Sequence, residues 1–352
     1  MNFEYGIIWN VIYFGGYFCT ITQKELTDKL MLKKNVLYAL EQKKGNVVTG
    51  GELAELFGVS RTSIWKAIHS LKADGNEIIT VPNVGYRLLP TNDTLFKKII
   101  SDGLTTDFIG RSMMLLSSTH STNQYLKEMD TSTILDGYVV IADGQEKGRG
   151  RYGRTFISPR GEGIYMSILL TPKSCWQNIR LITVCAAVAV SRAVENICGV
   201  RTDIKWVNDI FLNGKKLCGI LTEALMSGEL GEVETIIVGI GINTGRIHED
   251  VKDIATSVRE ETGLYGIRNS LIAEVLNQFE KVYYDSGKKE KMRDILNYYD
   301  SRLFIKGKNV LVNNRQDKYT AKVLGIDENA ALVVKLQNGD KKYITSGEIQ
   351  LQ

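Results

Sequence analysis

The residues best suited to chemistry lie close together between Gln145 and Gly161, in the sequence QEKGRGRYGRTFISPRG. Arg149, Arg151 and Arg154 supply fixed charge and forked donors that suit phosphate or carboxylate. The glycines between them let the backbone approach a ligand closely. Alone, the segment is also compatible with a solvated basic loop or an RGG-like nucleic-acid segment. If it binds an anion, we expect the ligand to order it and close it over the site.

Further polar residues occur at positions where a site would place them. Lys205 lies in the apolar segment IKWVNDI, where a charge without a partner is costly, although a lysine can also extend its ammonium group to the surface. Asn208 and Asp209 follow at a predicted turn and could serve only as turn formers. Ser121 is a natural N-cap for the next helix, and capping alone could explain it. Arg154 could instead form a structural ion pair.

Six segments follow one another in a fixed order along the chain. In combination they resemble the motif series of the biotin protein ligases. A helix-turn-helix pattern before them and a β-rich tail after them resemble the bifunctional members, which biotinylate carboxylase subunits and repress biotin genes. The resemblance runs from about Met31 to the C-terminus, and the six segments are STNQYL from Ser121, GRGRYGR from Gly148, IKWVNDI from Ile204, GKKLCGILTE from Gly214, GIGINTG from Gly239 and ATSVREETG from Ala255.

The resemblance implies a two-step reaction with ATP, biotin and Mg²⁺. ATP first converts biotin to biotinoyl-5'-AMP, and a lysine of the acceptor protein then attacks this mixed anhydride. Both steps need fixed cations, exclusion of water and an opening for the acceptor. The implied acceptor is a biotin carboxyl carrier protein of acetyl-CoA carboxylase or of a similar carboxylase.

The resemblance also implies roles for individual residues. Lys205 and Arg151 take the catalytic roles, Lys205 at the biotin carboxylate and the phosphate, and Arg151 in retaining the adenylate. Asp209 could help to place the magnesium ion, but the sequence does not identify the metal ligands. The biotin site comprises Ser121, Thr122, Asn123, Gln145, Gly148, Arg149, Arg151 and Lys205. The ATP and adenylate site comprises Arg154, Phe156, Asn208, Lys216 and Asn243.

Three residues depart from the family pattern. Tyr152 replaces the extra arginine common in GRGRRGR, Val207 replaces the proline common in KWPND, and Phe156 stands where many members have Trp. None of the three removes a charge that the reaction needs. They bear on nucleotide affinity and on the kinetics of the loop more than on the reaction type.

The helices and strands that the sequence predicts around these residues indicate an α+β multidomain chain. We expect an N-terminal extension over 1–30, a winged helix-turn-helix over 31–90, a connector over 91–107, and a central mixed α/β catalytic domain of the biotin/lipoate ligase type over 108–303. A C-terminal SH3-like β-barrel is expected over 304–352, with a hairpin at Asn338–Gly339. Leu181–Ile197 is expected to be a core helix, since it is too short and too charged for a membrane span.

In the helix-turn-helix pattern, a first helix, ELAELF, is expected to end at Gly58, and Ser60 is expected to cap a second helix, RTSIWKAIHSLKA. The second helix is the expected DNA-reading element. Ile64, Ile68 and Leu71 share one face and should be buried. Modules of this type can also serve only for dimerisation or packing. The residues expected to contact operator DNA are Arg61, Thr62, Trp65, Lys66 and His69.

Composition bears on the partners, the cellular location and the membrane contact of the chain. A net charge of +4 is too small to indicate a partner. The five cysteines lack metal-ligand spacing and suggest free thiols in the cytoplasm. Gly6–Cys19 is apolar but only about half as long as a membrane span. We expect Met31 to be the native start, with a peripheral membrane anchor as the alternative, and otherwise no membrane contact.

The expected function is therefore a cytoplasmic biotin protein ligase that also represses biotin genes. Its adenylate would be the corepressor and would favour a homodimer able to span two operator half-sites. The alternative is a ligand-sensing transcription factor without ligase activity. Lipoate or octanoate transfer on the related fold is disfavoured, because the GRGRYGR and KWVND segments match the biotin branch.

Overall fold

The computed structural model describes residues 10–14, 17–21, 23–130, 134–171, 178–227, 232–313 and 318–351. The chain divides into two compact units, Met1–Thr94 and Leu95–Gln352. Two of the sequence predictions, those for the cysteines and for the apolar stretch near the N-terminus, fall partly on residues outside these ranges. Cys175 lies outside the described residues, as do the side chain of Cys19 and residues 6–9, 15 and 16 of the apolar stretch Gly6–Cys19.

Within its described residues, the first unit contains a hairpin, a group of helices and a small sheet in the strand order β3-β5-β4. Residues 78–88 form the two strands of the predicted wing, which pair antiparallel across a tight turn. The elements in chain order are β1 (Asn10–Phe14), β2 (Tyr17–Ile21), α1 (Gln23–Gln42), β3 (Val47–Val48), α2 (Gly50–Phe57), α3 (Arg61–Ala73), β4 (Ile78–Val81) and β5 (Gly85–Leu88).

Local capping sets the limits of α2 and α3. Thr49 Oγ1 accepts from the backbone N–H of Glu52 at 3.0 Å, and the Glu52 carboxylate accepts from the Thr49 N–H at 2.8 Å, which is a capping box. Gly58 ends α2 at φ 63°, a conformation that favours glycine. Ser60 Oγ accepts from the Ser63 N–H at 3.1 Å and starts α3. The predicted turn between the two helices is therefore confirmed.

Helix α1 begins at Gln23, earlier than expected. The sequence predicted a domain start at Met31, but the helix passes through Met31 without a break. Residues 23–30, QKELTDKL, contain good helix formers and neither glycine nor proline, so nothing in this segment stops the helix. The choice of Met31 as the native start stays a prediction.

Helix α3 has the two faces that the sequence predicted. Ile64, Ile68 and Leu71 are buried in the first unit. Arg61, Thr62, Trp65, Lys66 and His69 are exposed, which leaves the outward face of the helix polar apart from one indole.

Residues 95–107, which were expected to belong to a connector, form part of the second unit. Ile100 is fully buried in the core, on the short helix α4 (Lys97–Asp102). The Glu280 carboxylate accepts from the N–H groups of Phe108 and Ile109 at 3.0 and 2.8 Å and fixes the end of this segment. A helix of six residues is too short to show an amphipathic period, so the sequence pattern did not reveal its packing.

A seven-stranded sheet forms the centre of the second unit, in the order β6-β7-β8-β12-β11-β10-β9. The β6–β7 pair is parallel and the other pairs are antiparallel. The segments GYVVIA (137–142), YMSILL (165–170) and ETIIVGIGIN (234–243), whose sequences predict strands, all contain strands of this sheet. The strands are β6 (Met113–Leu116), β7 (Val139–Ala142), β8 (Gly163–Leu170), β9 (Asp203–Lys205), β10 (Asp209–Leu212), β11 (Lys215–Ser227) and β12 (Glu232–Asn243).

Helices cover the sheet and complete the core. Among the described residues, Ile179–Cys198 is long and apolar enough to cross a membrane, but it is mostly buried against the sheet and the neighbouring helices. It is therefore the core helix that the sequence predicted. The helices are α5 (Thr122–Glu128), α6 (Ile179–Cys198), α7 (Val258–Thr262), α8 (Arg268–Ser286) and α9 (Lys289–Ser301).

The C-terminal part forms a five-stranded antiparallel sheet in the order β16-β15-β14-β13-β17. Gly339, at φ 94°, makes the predicted turn between β15 and β16. The Ile204 N–H donates to the Arg302 carbonyl at 2.7 Å, so β9 is fixed at the junction between the catalytic fold and this sheet. The strands are β13 (Asn309–Asn313), β14 (Lys318–Ile326), β15 (Leu332–Lys335), β16 (Lys341–Ile344) and β17 (Glu348–Leu351).

Candidate active site

A cavity of about 680 Å³ lies in the second unit. Its walls come from the start of α5, the arginine loop (residues 145–161), the β9–β10 turn, strands β11 and β12, and residues 347–349 of the C-terminal sheet. All of the predicted ligand-binding residues except Gly148 line the cavity. The predicted residues that line the cavity are Ser121, Thr122, Asn123, Gln145, Arg149, Arg151, Arg154, Phe156, Lys205, Asn208, Lys216 and Asn243.

One end of the cavity carries uncharged polar groups. Ser121 occupies the N-cap position of α5, but its hydroxyl accepts no capping hydrogen bond. Gln145 performs this function instead, since its Oε1 accepts from the Thr122 N–H at 2.9 Å. The Gln145 amide also donates to Ser158 Oγ at 3.0 Å, so the same side chain connects α5 to the arginine loop.

Two residues that the sequence did not single out hold this polar end in place. Ser167, fully buried on β8, lies 2.6 Å from both Thr122 Oγ1 and Asn123 Oδ1. Glu223 on β11 accepts from Asn123 Nδ2 at 2.8 Å and pairs with Lys127 at 2.7 Å. A serine inside the apolar strand YMSILL was the available signal for Ser167, because a buried hydroxyl requires a partner.

The arginine loop is folded back on itself. The Gln145 N–H donates to the Ser158 carbonyl at 3.0 Å, and the Phe156 N–H donates to the Gly148 carbonyl at 2.9 Å. A Cβ at Gly148 would lie 2.2 Å from the Phe156 carbonyl oxygen. Gly148 therefore permits the close approach of the two sides of the loop, which is a structural role beside the cavity.

The three arginines of the loop have different surroundings. Arg149 is exposed at the cavity wall. Arg151 Nη1 donates to Asn208 Oδ1 at 3.1 Å, which connects the loop to the β9–β10 turn. Arg154 Nη2 lies 2.5 Å from Glu348 Oε1 of the C-terminal sheet, so the ion pair considered for Arg154 from the sequence is present.

Phe156 lies against a glycine surface on the sheet. A Cβ at Gly241 would lie 2.6 Å from the Phe156 ring, and one at Gly219 would lie 3.4 Å from it. The ring also meets Tyr165 edge-on, with centroids 6.4 Å apart. The glycines of GIGIN and KLCGIL thus make room for a flat ring at the cavity floor.

Lys205 lies at the end of edge strand β9 and is half-buried rather than enclosed in apolar surroundings. Its Nζ lies 5.6 Å from the centroid of the Phe211 ring, and it forms no ion pair with any residue that the structure describes. The next residue, Trp206, is buried and donates from Nε1 to the Ala330 carbonyl at 3.0 Å. Lys205 is therefore a fixed cation that is available to an anionic ligand.

The remaining predicted nucleotide residues already have partners within the chain. Lys216 Nζ lies 2.8 Å from Asp209 Oδ1. Asn243 Nδ2 donates to the Thr256 carbonyl at 3.0 Å, and Asn208 Nδ2 donates to the Ile220 carbonyl at 2.8 Å. Asn208 is thus a turn residue, as one of its two interpretations from the sequence expected, and also the partner of Arg151. Its role at the adenylate stays a prediction.

The predicted DNA-binding residues form a separate surface on the first unit. Trp65 is 55% exposed, and its ring lies 5.5 Å from that of His69, centroid to centroid. Arg61, Thr62 and Lys66 are exposed on the same helix. Cations beside an exposed aromatic suit both phosphate and base contacts.

Comparison with known protein families finds matches to three parts of the chain. The model of the biotin/lipoate A/B protein ligase family matches residues 115–243. A helix-turn-helix domain model matches residues 33–87, and the model of the biotin protein ligase C-terminal domain matches residues 306–352.

Individual relatives extend the match across the chain. The bifunctional ligase/repressor BirA of Bacillus spizizenii is 36% identical over 91% of this chain and 98% of its own length. The Escherichia coli protein of the same name is 29% identical over 88% of this chain and 94% of its own. The biotin protein ligase of Aquifex aeolicus, solved with biotin and ATP, superposes with a TM-score of 0.61 at 31% identity, over 69% of this chain and 99% of that one. On these matches, the chain belongs to the biotin protein ligase family, among its bifunctional ligase and repressor members.

Proposed function

We propose that the chain forms biotinoyl-5'-AMP from biotin and ATP and transfers the biotinoyl group to a lysine of a biotin carboxyl carrier domain. One observation carries the proposal. The cavity has uncharged polar groups at Ser121, Thr122 and Asn123 and fixed cations at Lys205 and Arg151. A ligand with an uncharged polar ring and a carboxylate matches both features. The volume of about 680 Å³ is that of an ordinary small-ligand site.

The uncharged end takes the ureido ring of biotin. Thr122 and Asn123 are held by the buried hydroxyl of Ser167, so their orientation is fixed before the ligand arrives. Gln145 contributes to the same site from the loop side, and Gly148 lets the loop come close. The biotin site thus comprises Ser121, Thr122, Asn123, Gln145, Gly148, Arg149, Arg151 and Lys205.

The cationic part acts on the reacting groups. Lys205 lies opposite the biotin carboxylate and the α-phosphate of ATP, where negative charge concentrates as the carboxylate attacks phosphorus. Pyrophosphate then leaves, and the mixed anhydride remains under the loop. Arg151 holds the phosphate of this intermediate, which supports its retention until an acceptor lysine attacks the carbonyl carbon and releases AMP.

The nucleotide binds toward Phe156 and the glycine surface. Gly241 and Gly219 make room for the Phe156 ring against the sheet. Adenine stacks on the face of this ring that is turned to the ligand. Lys216, Asn208, Asn243 and Arg154 surround the remainder of the nucleotide. Lys216 is paired with Asp209 in this structure. When ATP binds, Lys216 therefore either leaves Asp209 or contacts Asp209 and the nucleotide together.

Mg²⁺ is proposed to accompany the nucleotide. Within the described residues, no group of three or more His, Cys, Asp and Glu side chains could hold a metal ion. This fits an ion held mainly by phosphate oxygens and water, which is the usual mode for Mg²⁺. Asp209, which lines the cavity, would help to hold the ion, and the ion would neutralise phosphate charge.

Biotin-dependent exchange of labelled pyrophosphate into ATP tests the ligase. Exchange that requires both biotin and Mg²⁺, together with biotinoyl-5'-AMP identified by mass spectrometry, is the expected result. A ligand-sensing transcription factor without ligase activity would bind biotin and show no exchange. Labelling of a purified carboxyl carrier domain on one lysine would identify the acceptor class.

The exposed cationic face of α3 supports a second role, in which the adenylate-bound protein forms a homodimer on operator DNA. Arg61, Thr62, Trp65, Lys66 and His69 contact the DNA. A mobility shift on the chain's own biotin-gene promoter should require biotin and ATP together, and a shift that ignores both would contradict the switch. The free thiols of Cys185, Cys198 and Cys218 support a reducing, cytoplasmic location.

A further inference from the structure

The tip of the arginine loop is tied to the C-terminal sheet. The Gly347 N–H donates to the Tyr152 hydroxyl oxygen at 3.2 Å, and Arg154 forms an ion pair with Glu348 at 2.5 Å. Tyr152 and Glu348 are far apart in sequence, so these contacts join the predicted lid to a separate part of the unit. Gly347, Glu348 and Ile349 also line the cavity, which makes the C-terminal sheet one of its walls.

Tyr152 adopts a backbone conformation that its residue type disfavours. Its φ of 56° and ψ of 30° lie in the left-handed region, where a tyrosine costs free energy unless other contacts compensate. Burial does not compensate, because Tyr152 is 51% exposed. Within the loop, the Gly150 N–H donates to the Arg154 carbonyl at 2.7 Å and closes the turn around Tyr152. The contacts of the Tyr152 hydroxyl add interactions that connect this turn to the C-terminal sheet.

The Tyr152 hydroxyl joins the sheet to a catalytic candidate. Its oxygen accepts from the Gly347 N–H and also lies 3.1 Å from Arg151 Nη2, while Arg151 Nη1 reaches Asn208. A chain of hydrogen bonds thus runs from the C-terminal sheet through Tyr152 and Arg151 to the β9–β10 turn. Arginine at position 152, which the family pattern favours, could not accept the Gly347 hydrogen bond, because a guanidinium group has donors only.

We propose that Tyr152 and Glu348 are positioning residues that latch the arginine loop to the C-terminal sheet and so lengthen the residence of the acyl-adenylate. The inference rests on the proposed function, because it gives this latch a role in holding the intermediate. Tyr152 contributes the larger part. The Arg154–Glu348 pair is at the surface, where Arg154 is 69% exposed, and such pairs contribute little.

Two measurements on the full-length chain test the latch. Without ligand, Tyr152→Phe should increase the rate of tryptic cleavage at Arg149, Arg151 or Arg154 by at least about three-fold, as expected for the loss of its hydrogen bonds to Gly347 and Arg151. With labelled biotin, ATP and Mg²⁺ followed by an unlabelled chase, the same variant should release labelled intermediate faster by a similar factor. Glu348→Gln should change both rates by about two-fold or less.

Tyr343→Phe is the matched control. Tyr343 is an exposed tyrosine of the same sheet that does not line the cavity, so this variant should keep wild-type cleavage, exchange and release rates. The thermal midpoint of Tyr152→Phe should equal that of wild type, since a loss of general stability would lower it. Wild-type cleavage in Tyr152→Phe would overturn the latch, and faster cleavage with unchanged release would overturn its role in retention. If wild type itself shows no pyrophosphate exchange, the proposed function fails, while the ligand-free cleavage result still tests the latch.

Discussion

The side chains of Asn123 and Glu223 are joined by a hydrogen bond of 2.8 Å between the amide nitrogen and a carboxylate oxygen. Asn123 Nδ2 also donates to the Leu221 carbonyl at 3.2 Å, so both amide hydrogens are used. Its Oδ1 accepts from Ser167 and keeps one free lone pair. At this position the cavity therefore presents an acceptor, which suits an N–H of a cyclic urea.

Ser167→Ala should weaken biotin binding without slowing the chemistry. The substitution leaves Thr122 and Asn123 without the hydroxyl that orients them, so we expect the KM for biotin to rise about five- to ten-fold while kcat changes less than about two-fold. Initial rates of pyrophosphate exchange against biotin concentration measure both values. Ser270→Ala, at an exposed position of α8, should leave both unchanged. An unchanged KM in Ser167→Ala would show that Ser167 does not orient the site.

The sequence predicted those elements whose signals are local. The caps at Ser60 and Gly58, the turn at Gly339 and the core helix at 181–197 each depend on a few neighbouring residues, and each is present in the structure. The six motif segments contain all but two, Gln145 and Phe156, of the predicted residues that line the cavity. The family resemblance supplied these assignments, since residue types alone could not.

The contacts that the sequence could not predict join distant segments. Glu223 reaches Asn123 across about a hundred positions, and Gly347 reaches Tyr152 across nearly two hundred. Nothing in the local pattern around Glu348 indicates a partner. The same limit applies to residues 95–107, whose burial depends on packing against α8.

Arg268→Ala should destabilise the second unit strongly. Arg268 is 3% exposed and pairs with Asp143 at 2.8 Å while also donating to the Gly163 carbonyl. Removing it leaves a partly buried carboxylate without its main partner, which costs about 3–5 kcal/mol. Denaturant unfolding measures the loss. Arg160→Ala is the control, because Arg160 pairs with the same carboxylate at the surface and should cost less than about 1 kcal/mol.

Arg151→Gly should let the activated intermediate escape. The variant lacks the cation assigned to the phosphate and the hydrogen bond to Asn208. Biotin should therefore appear on lysines of a bystander protein such as serum albumin, at a yield at least about ten-fold above wild type, as expected for the loss of a charge-assisted contact. Streptavidin blotting measures the yield. Labelling as selective as that of wild type would refute the retention role of Arg151.

Cys198 should be alkylated slowly in the folded protein. Burial raises the pKa of its thiol from 9.0 to about 11, so at pH 8 its thiolate is about 100-fold scarcer than that of an ordinary thiol. Peptide-resolved alkylation by iodoacetamide, with urea-unfolded protein as the control, should show a rate lower by at least this factor. The rate should still rise about ten-fold per pH unit near pH 9, and a plateau there would contradict the raised pKa.

The same shift predicts how stability depends on pH. The pKa of the Cys198 thiol is higher in the folded state than in the unfolded state. Below pH 9 the thiol keeps its proton in both states, so it does not change the free energy of unfolding. Between pH 9 and about 11 the unfolded chain ionises first, and the free energy of unfolding falls by up to about 1.4 kcal/mol per pH unit for this thiol. Because the unfolded thiol is only half ionised at pH 9.0, Cys198→Ala should remove up to about 1 kcal/mol of the stability loss between pH 9.0 and 10.0, as measured by urea unfolding.

Lys66→Ala should weaken operator binding by an electrostatic route. Lys66 is exposed on the outward face of α3, and no carboxylate among the described residues pairs with it, so it is available for a phosphate. With biotin and ATP present, the slope of log affinity against log salt should decrease by about 0.9 per lost phosphate contact, or about twice that in a homodimer. The affinities of the protein for operator DNA and for unrelated DNA should fall by the same factor, because a phosphate contact carries no sequence information. Lys281→Ala, an exposed lysine of α8, should leave the slope unchanged, and a wild-type slope in Lys66→Ala would remove Lys66 from the DNA-binding surface.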